Sequence, residues 1–191
     1  MKNNTYELGQ LGTNCYLLYP DNTNLAIVVD APLEAAEEIP ARLKADGKKL
    51  AAILLTHGHW DHLWDAGELQ KITGAKLYAG AKGRELVENP EFQRQNLYAE
   101  SDFGATKIDV PVRDGDTYFV DDGNLKYLFA GDVIFAGSVG RSDLWGGSYA
   151  ELERSIREKI YTLPEETAIF CGHGEPTTVE IEKRSNPYVR A

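Results

Sequence analysis

Three of the four histidines in this chain fall within six residues, in the segment Thr56-His57-Gly58-His59-Trp60-Asp61-His62. The segment follows an apolar run, Leu50-Ala51-Ala52-Ile53-Leu54-Leu55, that reads as a fully buried strand. In extended backbone, residues two apart point to the same side. His57, His59 and Asp61 can therefore converge on one point, and His62 joins them where the chain turns into a helix. Imidazole and carboxylate are borderline ligands that suit zinc, iron or manganese. The plain alternative is a solvated loop rich in histidine. The spacing favours metal, because imidazoles held this close repel one another once protonated.

Composition restricts the rest. A chain of 191 residues with 42% apolar side chains can bury a sizeable core as one domain, spanning residues 1–191. The net charge of −10 argues against a nucleic-acid partner and against an anionic membrane surface. No apolar run reaches the length of a membrane span, and no apolar signal region follows the N-terminal Met1-Lys2-Asn3. Cys15 and Cys171 both sit in strand-like contexts and read as two reduced core thiols rather than a disulfide. These features together point to the cytoplasm.

Residues 14–19 and 25–30 read as a hairpin of two strands, and residues 33–46 as a helix stopped by Gly47 with Pro40 close to its start. A helix over residues 63–72 ends at Gly74, and a strand follows over 75–79. Residues 84–99 are helical in parts, interrupted at Asn89-Pro90. Residues 117–120 and 125–130 read as strands around the turn Asp121-Asp122-Gly123-Asn124. Ser148 caps a helix over 148–163 whose Leu152, Ile156 and Ile160 share one face, and a last strand over 167–171 delivers His173. Helices and strands alternate, yet hairpins occur too. An α/β chain folded as a four-layer αββα sandwich of two mixed β-sheets accounts for both.

The pattern HxHxDH after a buried strand resembles that of the metallo-β-lactamase superfamily. Phe129-Ala130-Gly131-Asp132 resembles its strand-end aspartate, and Cys171-Gly172-His173-Gly174 its last histidine. Residues 11–17 (LGTNCYL), 135–144 (FAGSVGRSDL), 172–178 (GHGEPTT) and 182–187 (EKRSNP) narrow the likeness to the small hydroxyacylglutathione hydrolase-like, or glyoxalase II-like, branch. The resemblance implies the same αββα sandwich. It also implies two zinc ions, with iron or manganese as substitutes. His57 and His59 would belong to the first metal, Asp61, His62 and His173 to the second, and Asp132 to both. In the family a hydroxide shared by metals about 3.5–4 Å apart attacks the carbonyl. The implied activity is hydrolysis of a small-molecule thioester or ester such as a hydroxyacylglutathione, with Asp61 orienting the nucleophile.

One departure stands out. The family's further histidine, in a TPGH-like turn between residues resembling Asp114-Gly115-Asp116-Thr117 and the Ala-Gly-Asp strand, has no counterpart here. The first metal site then keeps two histidines and Asp132, so one strongly held cation is expected, at Asp61, His62, Asp132 and His173. Loss of a ligand makes a metal-binding protein with impaired catalysis one alternative. A mononuclear iron persulfide dioxygenase is another. A missing strand would also expose backbone groups that favour pairing between two copies as a homodimer. Arg141, beside Asp143, is a candidate for a substrate carboxylate, with a structural turn as the competing role. Trp60 is read equally as a pocket wall or as packing. Tyr98, Tyr149 and Tyr188 read as half-exposed aromatics, and Lys183 and Arg184 as solvated surface. Longer members of the branch carry a C-terminal helical domain that helps bind glutathione, for which this chain has no room.

Overall fold

The computed structural model describes residues 2–96, 103–113 and 127–191. The strand expected over 117–120, the turn over 121–124, the first two residues of the strand over 125–130, the end of the helix over 84–99, and Tyr98 lie outside them. The chain divides into two compact units, Met1–Gly123 and Asn124–Ala191.

The first unit is built on a six-stranded sheet in the order β1-β2-β3-β4-β5-β6. Its strands are β1 (Lys2–Leu8), β2 (Thr13–Tyr19), β3 (Leu25–Val29), β4 (Lys49–Leu54), β5 (Lys76–Gly80) and β6 (Val110–Val112). β1 to β3 run antiparallel to their neighbours, and β3 to β6 run parallel. The expected hairpin of β2 and β3 is present. The strand β1, which pairs along all seven residues of β2, was not foreseen, because Lys2-Asn3-Asn4 carries no apolar alternation. All seven residues of β2 are buried, whereas β4 buries Leu50 and Ile53 and leaves the rest partly exposed. β4 is thus less enclosed than its apolar sequence implies.

Between the parallel strands run the helices α1 (Ala35–Asp46), α2 (Trp60–Leu63), α3 (Ala66–Thr73), α4 (Arg84–Glu88) and α5 (Pro90–Asn96). α1 carries Pro40 inside it and buries Ala35, Ile39 and Leu43 against the sheet. Gly47 and Gly74 close α1 and α3 in the left-handed conformation, at φ 65° and 69°, which only glycine adopts without strain. The helix expected over 63–72 is α3, which starts only at Ala66, after the separate short helix α2 ends at Leu63. The break falls where Asp65 turns away and accepts the Ala36 N–H at 3.0 Å.

The second unit holds a three-stranded sheet, β11-β10-β7, and a two-stranded ribbon. β7 (Tyr127–Gly131) and β10 (Ala168–Cys171) are parallel, β11 (Thr177–Thr178) is antiparallel to β10, and β8 (Ile134–Phe135) pairs with β9 (Ser138–Val139). The helix expected over 148–163 starts as read, with the Ser148 hydroxyl accepting the Glu151 N–H. It runs as α6 (Tyr149–Ser155) and then widens to a π-helical turn over Ile156–Ile160. Ile156 and Ile160 are buried with Ile134, Ile169, Val179 and Val189.

A buried carboxylate organises this unit. Glu182, on α7 (Val179–Ser185), is 1% exposed. It accepts the Thr177 hydroxyl at 2.7 Å, the Asn186 amide at 2.8 Å and the Gly137 N–H at 3.1 Å. Asn186 also donates to the Ser138 carbonyl at 3.0 Å. These bonds tie the C-terminal helix to the β8–β9 turn, which follows Asp132. An acceptor removed from this position leaves several buried donors unmet, at about 1–3 kcal/mol for an unsatisfied group. Glu182→Ala should lower unfolding stability by about 3 kcal/mol in urea titration of the full chain. A change below about 0.5 kcal/mol would show that the network contributes nothing.

Candidate metal centre

Parallel strands deliver their C-terminal ends to one edge, and the chemistry-bearing residues lie there. In the first unit, Asp30 follows β3 and the Thr56–His62 segment follows β4. The His57 ring lies 4.4 Å from that of His59 and 4.2 Å from that of His62. The short helix α2 forms as expected and turns His62 inward, where it is wholly buried. Its Nε2 lies 3.4 Å from Asp61 Oδ2. Gly58 is required by a close approach: a Cβ there would lie 2.7 Å from the Leu86 Cβ of α4.

Asp30 orients this cluster, a role that the sequence reading missed. Its backbone sits at φ 59°, a left-handed conformation that Asp tolerates better than most residues. Its N–H donates to the Leu54 carbonyl at 2.9 Å. Oδ1 accepts the Thr56 N–H, and Oδ2 accepts both the Thr56 hydroxyl and His62 Nδ1, each at 2.8 Å. A carboxylate accepts and does not donate, so the His62 proton belongs on Nδ1 and the lone pair on Nε2. The Thr56 hydroxyl has one proton, which goes to Asp30. Its oxygen therefore accepts from His57 Nδ1 at 3.1 Å. His57 is thus held in the same tautomer as His62, and both present a ligand nitrogen at Nε2. The available signal was an aspartate ending an apolar strand just before Ala31-Pro32.

In the second unit, Asp132 follows β7 and His173 follows β10 by one residue. The two strands are parallel neighbours, with Cys171 opposite Gly131 and the Gly172 N–H donating to the Gly131 carbonyl at 2.8 Å. The two side chains consequently lie together, with His173 Nε2 3.7 Å from Asp132 Oδ2. A side chain at Gly140 would run into the Asp132 carbonyl, so the returning strand must carry glycine there.

Among the side chains that could hold a metal ion are His57, Asp61 and His62 in the first unit and Asp132 and His173 in the second. Neutral imidazole nitrogens with their protons fixed on the far side, set beside a carboxylate, are the donors that a divalent cation of the zinc, iron or manganese kind requires. The donor set fits such an ion. Arg141 forms a bidentate pair with Asp143 at 2.8 Å through both contacts, with both side chains well exposed, and holds the Asp143 carboxyl at about 2. Trp60 stacks edge-on against Trp64 and also lines a small cleft with Leu11, Thr13, Leu33 and Asp61. Tyr149 donates to the Tyr188 carbonyl, and Lys183 pairs with Glu165.

Cys15 and Cys171 are fully buried and not joined in a disulfide, as read from the sequence. Burial pushes the Cys171 thiol up to about 11 and the Cys15 thiol higher still. Neither should react with an aromatic disulfide reagent at pH 8 in the folded chain, and both should react in denaturant. Fast modification of either in the native protein would contradict their burial. For Asp30, substitution by Asn should weaken metal binding 10–100-fold in competition titration, the usual cost of losing a partner that orients a ligand. Affinity within twofold of the original would remove Asp30 from this role.

Among the described residues, no helix is long and apolar enough to cross a membrane. The profile of the Metallo-beta-lactamase superfamily matches residues 8–173. The chain is 32% identical to hydroxyacylglutathione hydrolase GloC of Haemophilus influenzae, over 93% of each protein. That match runs over 205 positions against 191 residues here, so part of the relative faces no residue of this chain. Among solved structures, BLEG-1 B3 metallo-beta-lactamase superposes with a TM-score of 0.88 at 28% identity, covering 100% of both chains. TTHA1623 in a di-iron-bound form superposes at 0.84 and 26%, covering 97% of this chain and 100% of that one. The fold is the metallo-β-lactamase fold expected from the sequence, and the chain belongs to the metallo-β-lactamase superfamily, whose members are mostly metal-dependent hydrolases.

Proposed function

We propose that the chain hydrolyses thioesters of the hydroxyacylglutathione kind with the help of bound divalent metal, zinc in the first instance. The observation that carries this reading is the pair of imidazoles, His57 and His62, fixed by Asp30 and Thr56 with Nε2 as the ligand atom beside the Asp61 carboxylate. Its likeness to the Haemophilus influenzae hydrolase supports the substrate class.

His57, His59, Asp61 and His62 of the first unit and Asp132 and His173 of the second would hold the metal. One cation would be held firmly, by Asp61, His62, Asp132 and His173. A second, at His57, His59 and Asp132, would be held weakly, because the chain's four histidines are all accounted for and none can supply the remaining ligand. When bound, the metal supplies Lewis acidity toward the thioester carbonyl and makes water nucleophilic at neutral pH. Asp61 orients that water through its carboxylate. Water adds to the acyl carbon, the carbon–sulfur bond breaks, and the products are a carboxylic acid and a free thiol. Arg141, already paired to Asp143, meets a substrate carboxylate by exchanging that partner. The buried thiols, not joined in a disulfide, and the charge of −10 support a cytoplasmic protein acting on small molecules rather than on nucleic acid or membranes.

Thiol release from a hydroxyacylglutathione, followed with the protein stripped by chelator and then reloaded with zinc, tests the reading. Activity should vanish on stripping and return on reloading, with one equivalent of metal retained through dialysis. Oxygen uptake with a persulfide and no thiol release would make the chain a dioxygenase instead. Metal uptake without turnover of any thioester, ester or lactone would make it a metal-binding protein with a decayed site.

A further inference from the structure

We infer that Thr13 is a positioning residue for the metal centre, acting through Asp61. This rests on the reading of Asp61 as a metal ligand. Thr13 opens β2 and is 1% exposed. Its hydroxyl donates to Asp61 Oδ2 at 3.0 Å. That is the same oxygen that faces His62 Nε2 at 3.4 Å. One carboxylate oxygen is therefore held by the Thr13 hydroxyl while it faces the Nε2 lone pair of the ring that Asp30 orients.

The backbone around Thr13 is built to hold it still. The turn joining β1 to β2 is closed by the Gly12 N–H on the Gly9 carbonyl, with Gly9 at φ 69° and Gly12 at φ 62°. Thr13 then pairs with Leu8 at the first rung of the β1–β2 ladder. A β-branched side chain in a strand has few χ1 states, so its hydroxyl arrives at Asp61 with little entropy left to lose. Asp61 sits in the four-residue helix α2, too short to hold a side chain by its own packing. Thr13 supplies the restraint from a strand buried along its whole length.

The test is competition titration of zinc against a chromophoric chelator, with the full chain first stripped of metal. Thr13→Val keeps the shape and loses the donor, and should bind zinc at least 10-fold more weakly. Thr13→Ser should stay within about threefold of the original, in line with retention of the donor. In an Asp61→Ala background, Thr13→Val should change affinity no further. Thermal unfolding of the stripped proteins separates a folding defect from a ligand effect. Should Thr13→Val fail to fold, Thr13→Ala, alone and in the Asp61→Ala background, takes its place with the same expected and overturning outcomes. Equal affinity of Thr13→Val and the original overturns the inference alone, as does equal weakening by Val and Ser or additivity with Asp61→Ala. An original chain that binds no zinc at all overturns the metal reading and this inference with it.

Discussion

The buried Asp30 carboxylate sets the first unit's chemistry. It takes three hydrogen bonds at 2.8 Å, from the Thr56 backbone, the Thr56 hydroxyl and His62. A lone carboxylate at 1% exposure would be costly, and these donors offset that cost. The same bonds decide which nitrogen of each ring bears a proton. One acidic side chain therefore anchors the turn after β3 to the end of β4 and fixes the tautomers of two histidines. The left-handed backbone at Asp30 belongs to this arrangement, because it lets the N–H reach Leu54 while the side chain reaches Thr56 and His62.

The second unit reaches a similar end by a different route. Its donors, Asp132 and His173, come together because β7 and β10 are parallel neighbours, and because Glu182 holds the loop after Asp132 from behind. Glu182 and Asp30 are both acids at 1% exposure surrounded by donors. Asp30 touches a candidate ligand directly. Glu182 braces the backbone that carries one. The sequence EKRSNP supplies the brace through Glu182 and Asn186, four residues apart on one face of the terminal helix turn.

What the sequence made legible follows from which signals are local. The histidine cluster, the strand before it and the helix N-cap at Ser148 are read from spacing alone, and the structure has each of them, though the strand is buried only at Leu50 and Ile53. The glycine stops at Gly47 and Gly74 are equally local. β1 was not legible, because a polar strand is recruited by pairing with β2 rather than by its own pattern. The break between α2 and α3 was hidden because Asp65 leaves helical geometry to meet Ala36, a partner 29 residues away. Asp30 and Thr13 were missed for the same reason: each matters through a side chain distant in sequence, and nothing in the residue type declares the partner.

The missing histidine gives these restraints added weight. A site with a full ligand set tolerates some freedom in each ligand, because the remaining bonds hold the cation while one side chain moves. A site short of one ligand has no such reserve, and its affinity depends on how little entropy each remaining ligand loses on binding. His62 is fixed by Asp30, His57 by Thr56 and Asp61 by Thr13, so three candidate donors of the first unit are ordered in the absence of a cation. Preorganisation of this kind raises affinity without adding a ligand. A superfamily member short of one histidine can on these terms make more of the donors that remain.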